Sequence, residues 1–189
     1  MEPLAKLFGS AARLKTLRLF LFNKETAFTL ADVADRAKLP VAQARRELGE
    51  LAALGLLKKR GERAGARFQV NPKFEHLVPL DVFIRETTNV RAETIVQVLK
   101  KAGPLRLVVL SGFFTGIIEP QVDLLVVGDN LDERSLTAAV RHLESELGRE
   151  IRYASFPTAD FRYRMGVYDR LLRDVFDYPH RPLIDRIGL

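Results

Sequence analysis

The chain has 189 residues, 47% of them hydrophobic and 29% charged, a composition that can bury a core. It contains no cysteine, which excludes disulfides and thiolate metal sites. No apolar run is long enough to cross a bilayer, and the N-terminus lacks the blocks of a signal peptide. We therefore expect a cytoplasmic protein with no membrane partner.

The positive charge of the chain is unevenly distributed. The formal net charge is +6, and residues 1–90 contain 16 Lys and Arg against 10 Asp and Glu. Residues 91–189 contain 14 of each, so the whole excess lies in the N-terminal half. A basic surface can be an ordinary solvated face, but its position within the pattern described next favours a nucleic-acid partner.

Helix signals occur at regular intervals in the first third of the chain. Ser10 is placed to cap a first helix. Thr29 is placed to cap a second helix that extends to Lys38, with Asp32 at the capping-box position. A turn at Leu39-Pro40 then leads into a third helix, Val41 to Ala53, since proline is well tolerated where a helix opens.

The third helix has two distinct sides on a helical wheel. The side predicted to be buried contains Val41, Ala44, Leu48, Leu51 and Ala52. The opposite side contains Ala42, Gln43, Arg46 and Glu50, with Arg45 on the flank. Gln43 can read adenine and Arg46 can read guanine through paired hydrogen bonds, whereas Arg45 suits a phosphate. The alternative is a solvated face on which these charged residues form local ion pairs.

The segment from Leu56 to Val70 predicts a β-hairpin. Its second strand alternates apolar residues, such as Phe68, with polar ones, such as Gln69, so that one face is buried. Basic residues are concentrated on this short projection, a pattern typical of contact with a phosphate backbone. They are Lys58, Lys59, Arg60, Arg63 and Arg67.

The order of these elements resembles the winged helix-turn-helix domains of bacterial and archaeal transcriptional regulators of the MarR and ArsR kind. The resemblance is carried by Phe28 to Lys59 and by the hairpin to Val70. It implies sequence-specific binding to double-stranded DNA, with a homodimer reading two half-sites. The DNA-binding residues are then Thr29, Ala42, Gln43, Arg45, Arg46, Lys58, Lys59, Arg60, Arg63 and Arg67. Metal sensing of the ArsR kind is not expected, because cysteines are absent and the three histidines are scattered.

The second half of the chain alternates strand and helix signals. Strands are predicted at Leu105 to Leu110, Val122 to Val127 and Ile151 to Phe156, with a helix between the last two. Two short helices follow, and then a tail. We therefore predict an α+β protein with a winged helix-turn-helix domain at residues 1–88 and a small α/β domain at residues 89–189.

The stretch Leu105 to Asp129 resembles the first hairpin of minimal nucleotidyltransferase domains. The resemblance implies a Gly-Ser turn that grips nucleotide phosphates and an Asp-x-Asp pair that holds metals. Here Phe113 stands in place of the serine, and Gln121 replaces the first carboxylate of the pair. Because Asp123 alone cannot form a two-metal site, we expect no catalytic residue, no metal and no cofactor.

Asp123 is expected to be a structural carboxylate at the start of a strand. The alternative left open is a pocket for a nucleotide or small-molecule effector, formed by Ser111, Gly112 and Asp123. Fold analogy is the only basis for that pocket.

These patterns favour a transcriptional regulator whose second domain senses an effector, dimerises or binds a partner. The helices between Lys73 and Lys101 are the candidates for a dimer interface. One alternative is an active nucleotidyltransferase that docks its substrate through the winged helix. Another is an antitoxin-like interaction protein that binds another chain through its C-terminal half.

Overall fold

The computed structural model describes residues 3–61, 65–117 and 120–189, and it divides into two compact units. The first consists of Met1–Val90 with Arg141–Arg149, and the second of Arg91–Val140 with Glu150–Leu189. Each unit combines helices with one sheet, so the mixed α+β class is confirmed. Residues 141–149, which the boundary at residue 88 assigns to the second domain, have their contacts in the first unit.

The first unit contains a short three-stranded antiparallel sheet and helices around one core. Its elements are α1 (Pro3–Leu7), α2 (Ala11–Phe22), β1 (Phe28–Thr29), α3 (Leu30–Arg36), α4 (Val41–Ala53), β2 (Leu57–Arg60), β3 (Arg67–Val70) and α5 (Leu77–Thr87). The strand order is β1-β3-β2. The sequence did not predict β1, because two residues are too few to show an alternating pattern.

The predicted helix caps are present in the structure. The Ser10 hydroxyl accepts a hydrogen bond from the Arg13 N–H at 2.9 Å. The Thr29 hydroxyl accepts from the Asp32 N–H at 3.2 Å, while the Asp32 carboxylate accepts from the Thr29 N–H at 2.8 Å. These bonds from Thr29 hold the pKa of Asp32 below its usual value. The capping box therefore fixes where α3 begins, directly after β1.

The turn from α3 to α4 contains a left-handed residue that is not glycine. Lys38 has φ of +52°, and its N–H donates to the Asp35 carbonyl at 3.2 Å. The Leu39 N–H donates to the Ala34 carbonyl at 2.9 Å, which completes a Schellman motif. The end of α4 has the same motif, with Gly55 in the left-handed position at φ of +79°.

Lys38→Gly is expected to raise the free energy of unfolding by about 0.5–1 kcal/mol, because glycine adopts left-handed backbone without a Cβ clash. Gly55→Ala should lower it by about 1 kcal/mol for the same reason. A Cβ on Gly55 would meet no atom within 4 Å, so only backbone strain is tested there. Urea unfolding measures the free energy of unfolding of the two variants. If both variants are more stable than wild type, or both are less stable, left-handed backbone does not explain the two positions.

Residues 146–148 pack directly on α2 within the first unit. The Arg18 guanidinium donates to the Glu146 carbonyl at 3.0 Å, and the Asn23 amide donates to the Gly148 carbonyl at 2.8 Å. A Cβ on Gly148, which has φ of +75°, would lie 2.4 Å from the backbone carbonyl carbon of Arg18. Glycine is therefore required where the chain passes α2.

The second unit is built on a four-stranded mixed sheet. Its elements are α6 (Ala92–Leu99), β4 (Leu105–Leu110), β5 (Leu124–Gly128), α7 (Glu133–Leu147, to Val140 in this unit), β6 (Tyr153–Phe156), α8 (Thr158–Gly166), α9 (Arg170–Phe176) and β7 (Arg181–Asp185). The strand order is β6-β5-β4-β7, with β5 and β6 parallel and the other pairs antiparallel. The apolar runs of β4 and β5 are buried, as the sequence predicts for central strands.

The C-terminal segment corrects one prediction. The sequence predicts a tail here, but Arg181–Asp185 forms β7 and pairs with β4 at the edge of the sheet. Its pattern of exposure does not alternate, and it contains Pro182, so it lacks the usual strand signal. An edge strand tolerates proline because one side of its backbone needs no hydrogen-bonding partner.

Candidate nucleic-acid interface

Five exposed basic side chains lie on α4 and on the two faces of the β2–β3 hairpin, and together we call them the basic surface. They are Arg45, Lys58, Lys59, Arg60 and Arg67. Within residues 3–61, 65–117 and 120–189, none of them has a carboxylate oxygen within the 4.0 Å that defines an ion pair. Other arginines of the first unit do form such pairs, for example Arg85 with Asp81 at 2.9 Å. Among the described residues the basic surface therefore has no ion-pair partner, although Asp32 acts on Arg67 at longer range.

The strand register places two of these arginines side by side. Arg60 lies directly opposite Arg67 across β2 and β3, and Thr29 of β1 lies opposite Arg67 on the other side. Directly opposed residues share a face of the sheet, and like charges in that position are destabilising. An anion placed against this face would relieve the repulsion.

Lys59 lies on the other face of the hairpin, over an apolar groove. It is opposite Phe68, which is buried. The groove has a volume of about 510 Å³ and is lined by Leu30, Ala31, Val41, Arg45, Leu48, Lys59, Ala66 and Phe68. Arg45 of α4 and Lys59 of β2 are its charged lining residues, so both elements bring positive charge to the same groove.

The burial of α4 agrees with the helical wheel only in part, because Gln43 and Ala52, which it places on opposite sides, are both half-buried. Ala44, Leu48 and Leu51 are buried, as predicted. The prediction for Val41 is wrong: its side chain is 53% exposed, because it begins the helix and borders the open groove. The sequence also does not predict the full burial of Glu47. A lone glutamate on a helix ordinarily indicates an exposed position.

Buried Glu47 has several donors. It accepts hydrogen bonds from the Ser10 hydroxyl at 3.2 Å and from Arg13 Nε at 2.9 Å. Arg46 Nη2 also donates to it, at 3.3 Å, and Arg46 Nε lies 3.9 Å from the Glu50 carboxylate. Arg13 pairs with Glu50 as well. Arg46 thus has two carboxylate partners, whereas Arg45, one residue earlier, has none among the described residues.

The structure places the remaining predicted DNA contacts as follows. Thr29 lies at the junction of β1 and α3, Ala42 is exposed, and Gln43 is half-buried on α4. Arg63 lies outside the described residues. Apart from Arg63, the predicted residues come from the three-stranded sheet and from α4.

The predicted pocket residues of the second half come together in the structure, but they are buried. Ser111 and Gly112 lie at the end of β4, beside Asp123, whose exposure is 1%. The Asp123 carboxylate accepts from the Phe113 N–H at 2.9 Å and from Arg152 Nε and Nη2 at 2.9 and 2.7 Å. A ligand that used this carboxylate would have to displace Arg152.

Burial disfavours the charged form of Asp123, but the hydrogen bonds from Arg152 and from the Phe113 N–H outweigh it. Together they hold the pKa of Asp123 below its usual value. Ionised Asp123 therefore contributes stability above the unfolded-state pKa of about 3.9, and this contribution is lost as the pH falls through the lower folded-state pKa.

Asp123→Asn is expected to lower the free energy of unfolding by about 2 kcal/mol at pH 7, because the charged hydrogen bonds to Arg152 are lost. Arg152 is partly exposed and can be hydrated, which limits the effect. The difference between wild type and variant should shrink as the pH falls below about 4. Urea unfolding at pH 7 and at lower pH measures this difference in the free energy of unfolding. A difference that does not change with pH would contradict the role of the Asp123 charge.

No helix in the described part of the chain is both long and apolar enough to cross a membrane. Nor do three or more His, Asp or Glu side chains come together there in a group that could hold a metal ion. No family model, curated protein or solved structure matches this chain.

Proposed function

We propose that this chain is a sequence-specific, double-stranded DNA-binding transcriptional regulator. Its N-terminal part would be a winged helix-turn-helix and its second unit a nucleotidyltransferase-like sensing or dimerisation domain. The observation that carries the proposal is the basic surface, on which five cations have no close carboxylate partner among the described residues and two of them face each other. A surface of this kind is stabilised by a polyanion.

The arrangement of elements supports duplex DNA as that polyanion. The helices α3 and α4, joined by a tight turn, present the exposed side of α4 as a helix that fits a major groove. The hairpin β2–β3 follows at once and would contact the adjacent backbone through Lys58, Arg60 and Arg67.

A second copy of the chain is the partner we propose for α5. This helix exposes Val78 (72%), Val82 and Phe83 on the side away from its buried residue Ile84. Apolar side chains on one helix face are suited to an isologous contact. A dimer would present two copies of α4 to two half-sites one helical turn apart.

The exposed tyrosines of the second unit favour a protein partner as a second candidate function. Tyr168 is 79% exposed and has φ of +55°, and Tyr163 is also exposed. Tyrosine is enriched in protein interfaces, whereas the left-handed backbone of Tyr168 belongs to the Schellman motif that ends α8, as at Lys38. A stoichiometric protein that co-purifies with wild type, but not with a Tyr168→Ala variant, would support this reading.

Nucleotidyltransferase activity is less well supported. Asp123 is the one carboxylate of the expected Asp-x-Asp pair that this chain has, and its charge is neutralised by an ion pair. Asp123 is buried against Arg152, and no metal group is found among the described residues. Transfer of label from nucleoside triphosphates in the presence of Mg²⁺, abolished by Asp123→Ala, would overturn the assignment.

The test of the proposed function is titration of a fluorescent duplex with the full chain at 50 to 200 mM salt. With about four phosphate contacts from the hairpin, log K should fall with log salt at a slope of about −3.6, which is roughly 150-fold over that range. Absence of binding at 50 mM salt, or binding that salt does not weaken, would contradict the proposal.

A further inference from the structure

We propose that α4 reads bases through Arg45 and Val41, with Arg45 binding guanine and Val41 contacting the methyl group of thymine. Arg46 is then a positioning residue rather than a reader. The inference rests on the proposed function, because it specifies which bases the same surface recognises.

The first step is the different pairing of two adjacent arginines. Arg46 is held by Glu47 and Glu50, and Glu47 is itself buried against Ser10 and Arg13. To bind guanine, Arg46 would have to leave both carboxylates and leave part of the Glu47 charge without its partner. Arg45 has no such partner among the described residues, so its guanidinium is available to the guanine O6 and N7 acceptors.

The second step is the exposure of Val41. It is the first residue of α4, is 53% exposed, and lines the same groove as Arg45. Residues four apart on a helix are neighbours on one face, so Val41 and Arg45 act on the same side. An apolar side chain in this position fits the C5 methyl group of thymine, the apolar feature of the major groove.

The third observation is Gly49, which lies four residues after Arg45 and therefore on the same face of α4. It is exposed in the middle of α4, and a Cβ there would meet no atom within 4 Å. Glycine inside a helix is less stable than alanine, and packing within this chain does not require it. Close approach of the α4 backbone to DNA accounts for it.

Val41 and Arg45 are separated by about 6 Å along the helix, so the thymine and guanine should lie about two base pairs apart.

The test begins with selection of binding sites from a randomised duplex pool by the full wild-type chain. The expected site contains a guanine and a thymine about two base pairs apart in each half. Arg45→Ala should lower affinity for this site about 10- to 100-fold and remove the preference at the guanine alone. Arg46→Ala should weaken binding to all sequences alike, because it removes one cation beside the exposed carboxylate of Glu50.

Substitution of uracil for the thymine removes the methyl group and nothing else. It should weaken wild-type binding about fourfold, and this loss should fall below about twofold in Val41→Ala. Gly49→Ala should raise the melting temperature by roughly 3–5 °C and yet weaken binding about tenfold, so instability cannot explain the loss.

The outcomes separate this inference from the proposed function. Salt-sensitive duplex binding with no selected site overturns the inference alone. So does a preference that Arg46→Ala removes and Arg45→Ala retains, or a wild type that is indifferent to uracil. Absence of any salt-sensitive duplex binding overturns both.

Discussion

Replacing Arg60 and Arg67 together with glutamine is expected to weaken duplex DNA binding about 10- to 100-fold at 0.1 M salt, because two phosphate contacts are lost. The slope of log K against log salt should become less steep by about 1.8. The same change should leave the fold slightly more stable, since the two charges face each other across β2 and β3. Fluorescence anisotropy and urea unfolding measure the two effects.

Lys100→Gln with Lys101→Gln is the matched control for that variant. It removes the same charge from two exposed lysines outside the first unit. If the two double variants weaken binding equally, net charge accounts for the effect and the hairpin has no special role. If the Arg60 and Arg67 variant unfolds more easily than wild type, the opposed pair is stabilised by the chain itself.

Gly148→Ala is expected to lower the free energy of unfolding of the first unit by about 3 to 4 kcal/mol. Two penalties combine at this residue. Its φ of +75° is unfavourable for a residue with a Cβ, and that Cβ would lie within 2.6 Å of Arg18 and Leu19 backbone atoms. Backbone atoms of α2 cannot move aside as a flexible side chain can, so residues 146–148 should lose their contacts with Arg18 and Asn23.

Gly9→Ala isolates the backbone part of that effect. Gly9 has a similar φ of +81°, but a Cβ there would meet no atom within 4 Å. It should cost about 1–2 kcal/mol. Urea unfolding, with hydrogen exchange of the backbone amide at position 148, compares the two variants. Equal losses would show that the close approach to α2 has no energetic consequence.

Local chemistry explains which parts of the fold the sequence predicts. Ser10, Thr29 and Asp32 form caps because their side chains bond the backbone within three residues, so the signal lies within a few letters. The hairpin is predictable because alternation shows which residues are buried. In contrast, β7 depends on β4, which lies some seventy residues earlier, and its own residues show no strand pattern.

The sequence predicts which residues belong to the candidate site, but not all of the ion pairs that they form. The charge count locates the basic half, and the wheel identifies α4 as the exposed helix. The i, i+4 spacing pairs Arg46, but not Arg45, with Glu50. The second partner of Arg46, Glu47, is buried against residues more than thirty positions earlier and is not predictable locally. The exposure of Val41 likewise depends on a groove that α3 and the hairpin complete.

The pairing of Asp123 with Arg152 limits what evolution or design could make of the second unit. An aspartate in place of Gln121 would restore the Asp-x-Asp pair that the sequence comparison with nucleotidyltransferases expects. It would not restore a divalent-cation site, because Asp123 would still be neutralised by two hydrogen bonds from the Arg152 guanidinium. Recovery of metal binding therefore requires at least two coordinated changes, and the first one alone would give no selectable gain.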